Sequence, residues 1–264
     1  MTDVEIVGSG PNGLAAAVTL ARAGLSVRVY ERLSQLGGGA STREEAALGF
    51  RFDTCSAVHP LALASPFFRA FGLARRVEFV TPEVSFAHPL PGGASGIAYR
   101  DLARTAEELG RDGAAYRRLL GPLSAHAREV ARFTGSTLLR VPPHPIVAAR
   151  FGLRALWQGS PLWGAGFTGA TAPAMITGVA AHAIVPQPSP VAAAAGLALQ
   201  AHAHAAGWPI PLGGSQAISD ALADDLRAHG GEIVTDHEVA SLDELTARAV
   251  VLDVTPRALV RLAG

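Results

Sequence analysis

The sequence contains no lysine, because all 22 of its basic residues are arginine. This absence excludes the phosphate-binding lysine of a P-loop and a lysine that forms a Schiff base with its substrate. With a single cysteine, Cys55, no disulfide can form within the chain. The first residues have neither the basic nor the apolar region of a signal peptide, so we expect a cytoplasmic protein.

An excess of charge of either sign is also absent. The 22 basic and 22 acidic residues balance, so no net field attracts nucleic acid or an anionic membrane. We expect no nucleic-acid partner, and we leave open a peripheral contact with a membrane. The most apolar stretch, 190–207, includes Gln200, His202 and His204 and is shorter than the roughly 20 apolar residues that span a bilayer. We therefore predict a buried or amphipathic helix there and no transmembrane segment.

The first 30 residues have the pattern of a βαβ unit. An apolar run at 4–7 predicts a buried parallel strand, helical spacing follows over 12–22, and alternation over 26–30 predicts a second strand. Prolines and glycines between 81 and 96 mark a boundary. Further helices are predicted over 66–71, within 102–132, and over 146–157, 173–185 and 190–206.

After residue 208 the α/β pattern returns. It predicts a helix over 215–229 and strands over 232–235 and 250–254. We therefore predict an α/β protein with a Rossmann-like domain and a parallel sheet, interrupted by a mostly helical substrate domain. The predicted parts are 1–80, the insert 81–211, and 212–264.

A glycine motif lies between the first strand and the first helix. In Gly8-Ser9-Gly10-Pro11-Asn12-Gly13 the glycines permit a tight turn, close approach of a pyrophosphate, and close packing of the helix on the strand. The helix N-terminus then offers free N–H groups to the anion. Glu31, at the end of the second strand, is placed to bind the adenosine ribose and disfavours NADP. The alternative is a tight turn without a ligand.

A second glycine cluster, Gly37-Gly38-Gly39, follows Glu31. Small residues here allow the chain to lie against the diphosphate and ribityl parts of an extended flavin dinucleotide, which favours FAD over NAD as the cofactor. The alternative interpretation is a flexible linker.

The sequence resembles the flavin-dependent amine oxidase and phytoene desaturase superfamily, and most closely its phytoene dehydrogenase-related branch. The matching stretches are the motif from Gly8 to Glu31, "LGGGAST", "GFRFDTCSAVHPL", "GWPIPLGGSQAISDAL" and "GGEIVTDHEV". The resemblance implies that backbone atoms of Val239 pair with adenine. The residues expected to bind FAD are Gly8, Gly10, Pro11, Asn12, Gly13, Glu31, Arg32, Gly37, Gly38, Thr42 and Val239.

Two departures from the family are visible. Relatives often have arginine where this chain has Gly39, so Arg43 is a candidate to supply that charge. Family members are also commonly much longer, with a further segment that covers the flavin ring. We therefore expect a chain that is C-terminally truncated relative to the family, as a fragment, a short gene product or one half of a split enzyme that a second chain completes.

No residue is predicted to be catalytic, and no metal site is predicted. His202 and His204 lie two residues apart on a helix, which directs their rings to different faces. Asp53, Cys55 and His59 lie either in a motif near the flavin or in a capped turn. Ser215 is predicted to be a helix N-cap rather than a nucleophile. The aromatic residues Trp157, Trp163, Trp208, Phe151 and Phe167 belong to the core or to an apolar substrate site.

The predicted function is that of an FAD-dependent oxidoreductase that moves hydride from a small apolar organic substrate to the flavin. Because the cofactor carries such chemistry, no acid or base is required of the chain. The alternatives are a non-catalytic dinucleotide-binding module that interacts with a second chain, and an NAD-dependent enzyme that uses only the first glycine loop.

Overall fold

A computed structural model describes residues 2–45, 49–137 and 141–264. The strands in these ranges are β1 Val4–Val7, β2 Val27–Tyr30, β3 Thr42–Glu45, β4 Phe50–Asp53, β5 Phe79–Val80, β6 Val84–Pro89, β7 Ser95–Tyr99, β8 Ile210–Pro211, β9 Glu232–Val234 and β10 Ala249–Leu252. The α-helices are α1 Pro11–Arg22, α2 Pro60–Ala64, α3 Pro66–Phe71, α4 Leu73–Arg76, α5 Leu102–Glu108, α6 Gly113–Ser124, α7 Ala127–Thr134, α8 Pro145–Gln158, α9 Thr171–Ala180, α10 Pro190–Ala205, α11 Gln216–Ala228 and α12 Pro256–Ala263.

The chain divides into two compact units. The first unit comprises the described residues of Met1–Val58, Phe71–Val80 and Ile210–Gly264. The second comprises those of His59–Ala70 and Thr81–Pro209. Residues 59–70 thus pack with the second unit, although the sequence prediction placed them in the first. The functional division into a cofactor domain and a substrate domain stays a prediction.

A four-stranded parallel sheet in the order β10-β1-β2-β9 forms the centre of the first unit. All four residues of β1 are buried, as expected for a central strand with both faces covered. Sequence reasoning predicted this parallel sheet and its Rossmann-like βαβ unit, and both predictions are confirmed.

An ion cluster around the buried Asp225 holds α1 against α11. The Asp225 carboxylate accepts two hydrogen bonds from Arg22, at 2.8 and 2.7 Å, and pairs with Arg76 at 2.9 Å. The hydrogen bond from Arg22 is the main reason that the pKa of Asp225 lies below its usual range. Since Asp225 is buried, these partners are what make its charge tolerable in the core.

The second unit is mostly helical, and α10 lies at its centre. Ala192, Leu197 and Ala201 of this helix are buried, and α10 packs against α6, α8 and α9. Its small alanine and glycine side chains permit close helix approach; a Cβ at Gly196 would lie 2.8 Å from the Cα of Ala180. The prediction of a buried helix over 190–207 is confirmed.

Two hairpins were missed from the sequence. The segment from 81 to 96, predicted to be a boundary, instead contains β6, which pairs antiparallel with β7. In the first unit, β3 pairs antiparallel with β4. Glycine and proline punctuate β-turns as well as domain boundaries, so this composition did not separate the two cases. Among the described residues, no helix combines the length and apolar character that crossing a bilayer requires.

Candidate functional site

The first glycine loop connects β1 to α1 with no space for side chains. Gly8 has a positive φ of 103°, which only glycine adopts readily, and a Cβ there would collide with the carbonyl of Asp253. A Cβ at Gly10 would lie 2.9 Å from Asp253 Oδ2, and one at Gly13 would collide with the carbonyl oxygen of Gly8. These three glycines are therefore required because the turn packs closely on itself and on Asp253.

The N-terminus of α1 has two amide groups free for a ligand. Pro11 has no N–H, and the N–H of Gly13 donates to Asp253 Oδ2 at 2.7 Å. The N–H groups of Gly10 and Asn12 make no hydrogen bond to any described residue. Unpaired amides at a helix N-terminus favour an anion, so a phosphate fits this position.

The second glycine cluster lies directly against the first loop. The N–H of Gly37 donates to the carbonyl of Ser9 at 3.1 Å, and a Cβ at Gly38 would lie 3.3 Å from the Cα of Gly10. Both Gly37 and Gly38 have positive φ values, 107° and 52°. The two clusters therefore form one continuous backbone surface. A flexible linker, the alternative interpretation of the second cluster, would not require this contact.

The Glu31 carboxylate points into the site and is buried. Its Oε2 accepts from the N–H of Ser9 at 3.1 Å and from the Ser9 hydroxyl at 2.6 Å, and its Oε1 accepts from the N–H of Leu33 at 3.0 Å. A carboxylate oxygen has two lone pairs, so Oε1 keeps one acceptor position for a hydroxyl. The residue is thus fixed by the protein and still able to bind a ribose.

Other predicted cofactor-binding residues differ in their surroundings. Val239 is buried in a small apolar cluster with Val7 and Leu262, and its backbone N–H and C=O make no hydrogen bond to any described residue. Arg32 is exposed and forms no ion pair with a described residue. The Thr42 hydroxyl donates to Asp53 at 2.6 Å and accepts from the N–H of Gln216, so it supports the start of α11.

The N-terminus of α11 is capped from outside its own segment. Ser215 occupies the predicted N-cap position, but its side chain does not cap the helix. The N–H of Ser215 instead donates to Asp53 Oδ1 at 2.8 Å, so Asp53 has a structural role in capping α11. Beside it lies a polar cavity of about 360 Å³, whose wall includes Arg43, Arg51 and Asp220.

Sequence reasoning missed Asp253. This residue follows β10 immediately, and β10 pairs with β1, so its carboxylate lies at the same sheet edge as the first glycine loop. Parallel strands bring their carboxyl ends to one edge, where ligands of open α/β sheets bind. The sequence prediction placed Asp253 inside the last strand, 250–254, whereas β10 ends at Leu252, so this acid is a usable signal only once strand order and the strand's end are known.

The histidines of α10 form no metal site. His204 Nε2 lies 2.9 Å from the Tyr116 hydroxyl and its Nδ1 lies 2.8 Å from the carbonyl of Tyr99, so both of its nitrogens have protein partners. Burial lowers the pKa of His204 to about 4 and also lowers the pKa of His202. Among the described residues no group of three or more histidines, cysteines or acids could hold a metal ion.

The second unit contains an apolar cavity of about 600 Å³. Phe133, Phe151 and Leu199 line it, together with His182 and Ser65, and no acidic residue of the described chain contributes to its wall. Of the five aromatic residues singled out from the sequence, Phe151 lies here. Trp208 is buried and its indole N–H donates to the carbonyl of Leu199.

Residues 6–71 match the family model of the NAD(P)-binding Rossmann-like domain. These residues, a quarter of the chain, are therefore similar to an NAD(P)-binding Rossmann-like domain. An uncharacterized protein of Mycobacterium tuberculosis is 30% identical over 99% of the chain and 56% of its own length. A hydroxysqualene dehydroxylase of Rhodopseudomonas palustris is 46% identical over 19% of the chain and 12% of its length. The chain thus spans about half the length of the curated mycobacterial relative.

Solved structures show the same fold. Putrescine oxidase matches with a TM-score of 0.59 and 19% identity, over 99% of the chain and 60% of the oxidase. A fatty acid isomerase from P. acnes that produces CLA matches with a TM-score of 0.61 and 15% identity, over 98% of the chain and 60% of the isomerase. The predicted resemblance to the flavin amine oxidase and phytoene dehydrogenase-related superfamily is confirmed at the level of the fold.

Proposed function

We propose that the protein is an FAD-dependent oxidoreductase of the phytoene dehydrogenase-like type, which transfers hydride from an apolar organic substrate to the flavin. The observation that carries this proposal is the contact between the two glycine clusters, where Gly38 lies against Gly10. A dinucleotide that contacts only the first glycine loop does not need a second glycine cluster beside it. A continuous backbone surface past Glu31 suits a longer ligand.

The free groups of the first unit match the chemistry of the adenosine diphosphate half. The N–H groups of Gly10 and Asn12 would hold the diphosphate, and Glu31 Oε1 would accept from the ribose. The unpaired backbone of Val239 would pair with the adenine edge. Arg32, exposed and without an ion-pair partner among the described residues, is free to approach a phosphate.

The chain's part in the reaction is to bind, orient and exclude water. FAD, when bound, supplies the acceptor for the hydride, so the protein needs no nucleophile of its own. The apolar cavity of the second unit supports a substrate without charge, because no carboxylate of the described residues in its wall could pair with a cationic amine. The relative named for hydroxysqualene, a largely hydrocarbon molecule, supports the same substrate class.

The rival proposal is a dinucleotide-binding module without catalysis, which interacts with a second chain. Exposed apolar side chains in the first unit favour it, among them Val260 and Leu259 of α12 and Val250 of the edge strand β10. Contiguous exposed apolar surface commonly marks an interaction site. The two proposals make different predictions for the purified protein.

Titration of the purified chain with FAD, NAD and ADP tests the proposal. We expect a yellow protein with flavin bands at about 375 and 450 nm, or uptake of added FAD that gives these bands. FAD should compete with ADP, and reduction of the bound flavin by an apolar substrate should bleach the longer-wavelength band. A chain that binds ADP or NAD but no FAD would overturn the flavin proposal and favour the rivals.

A further inference from the structure

Helix α8 presents an apolar face to solvent as well as to the core. Ala148, Phe151 and Ala155 on its inner side are buried. On the opposite side, Ile146, Leu153 and Trp157 are 68%, 68% and 49% exposed. Leu153 follows Ile146 by seven residues, and Trp157 follows Leu153 by four. The three side chains therefore form one stripe along about three helical turns. We call them the α8 stripe.

Arginines lie on and beside the α8 stripe. Arg150 is within it, four residues after Ile146 and three before Leu153. Arg150 is exposed on α8, and Arg118 is exposed on the neighbouring helix α6. The guanidinium of Arg154 lies between them and donates to the carbonyl oxygens of Leu119, Arg150 and Arg118. None of the three arginines forms an ion pair with a described residue. The sequence has no aspartate or glutamate between Glu129 and Asp220.

We propose that the α8 stripe and its arginines bind the surface of an anionic lipid bilayer, with α8 lying parallel to the membrane plane. A helix of this kind buries leucine, isoleucine and tryptophan in the headgroup and acyl boundary, while arginine reaches the lipid phosphates. Charge complementarity selects this partner over a second copy of the chain, since the same face on another copy would bring arginines together.

Vesicle co-sedimentation of the full chain tests the proposal. We expect binding to vesicles of phosphatidylcholine mixed with phosphatidylglycerol, little binding to phosphatidylcholine alone, and weaker binding at high salt. Leu153→Glu should weaken binding about tenfold or more, because it places an acid in the apolar stripe. Arg150→Gln should weaken it about fivefold.

The matched control is Val260→Glu on α12 in the first unit. Val260 is 70% exposed, close to the value for Leu153, and the substitution introduces the same charge. We expect this variant to bind vesicles like the original chain. Circular dichroism at the binding temperature verifies that each variant is folded.

Tryptophan fluorescence gives a second measurement. Quenching by brominated acyl chains should be strong for the original chain and much weaker for Trp157→Phe, which keeps an apolar residue on the stripe. Equal binding to both kinds of vesicle, or equal loss in Leu153→Glu and Val260→Glu, would overturn the proposal. Self-association in solution that Leu153→Glu abolishes, without vesicle binding, would assign the stripe to a second copy instead. The proposal does not depend on FAD, so it can fail while the proposed function stands.

Discussion

Polar groups are buried in both units, but they are used in different ways. In the first unit, Glu31 and the N-terminus of α1 are held by hydrogen bonds within the protein, and each still has a donor or acceptor position without a partner among the described residues. In the second unit, the Tyr116 hydroxyl bonds Nε2 of His204, and Nδ1 of His204 bonds the carbonyl of Tyr99, although Nε2 of His202 is buried without a partner among the described residues. The Tyr116–His204 pair therefore has a structural role, whereas Glu31 keeps an acceptor position that a ligand can use.

The largest expected effect is at the glycine surface. Gly10 has φ −62° and ψ 168°, which alanine can adopt, but a Cβ would lie 2.9 Å from Asp253 Oδ2. This contact is too close, so the loop that forms the proposed phosphate site would have to shift. Gly10→Ala should therefore weaken ADP binding about a hundredfold or more, because two charge-assisted hydrogen bonds are lost. Calorimetric titration measures this.

Gly152→Ala is the control for that substitution. A Cβ at Gly152 meets no atom within 4 Å, and the position lies inside α8. We expect unchanged ADP binding and a small gain in stability. Similar losses of ADP binding in both variants would show that the glycine surface does not form the site.

The second-largest expected effect is a loss of stability at low pH. Because burial lowers the pKa of His204 to about 4, the unfolded chain takes up this proton more readily than the folded chain. The neutral His204 ring therefore contributes about 3 kcal/mol to the free energy of unfolding, and this contribution is fully present above about pH 6.5. It is lost as the pH falls from about 6.5 to about 4.

Urea unfolding across this pH range measures the effect. His204→Gln should flatten the pH dependence, while His126→Gln, at an exposed histidine, should not. The interpretation of His204 as a buried neutral group is wrong if the original chain and His204→Gln show the same dependence.

The third effect breaks the Tyr116–His204 pair. Burial raises the pKa of Tyr116, so its hydroxyl is neutral and able to bond His204. Tyr116→Phe leaves His204 Nε2 without that partner and should cost about 2 kcal/mol of unfolding free energy. ADP binding should stay unchanged, since the pair belongs to the second unit. A loss of ADP binding at full stability would contradict the contrast drawn between the units.

The smallest expected effects have opposite signs. Asp253→Asn keeps an acceptor for the N–H of Gly13 but removes a negative charge beside the proposed phosphate site. ADP should therefore bind about two- to fivefold more tightly, most clearly at low salt. Glu31→Gln should bind ADP a few-fold more weakly, because the ribose loses a charged acceptor. Titrations at two salt concentrations separate them, and a loss of affinity in both variants would assign Asp253 a purely structural role.

Much of the first unit could be predicted from local sequence. The glycine spacing, the apolar run before it and the acid after β2 sufficed to predict the βαβ unit. Contacts between distant segments could not be predicted, because neither the bond of Asp53 to Ser215 nor that of Asp253 to Gly13 has a signal in nearby residues. In the second unit, helices were predictable from periodicity, but the outward apolar face of α8 required knowing which side the core covers.

The bond from Gly13 to Asp253 joins positions separated by 240 residues. During synthesis on the ribosome, β1 and the glycine turn emerge early, yet one flank of β1 and the carboxylate beside the turn arrive only when β10 has been made. Binding of the proposed cofactor should therefore occur late, after the helical unit has been translated. A nascent chain stalled before β10 should not retain a nucleotide.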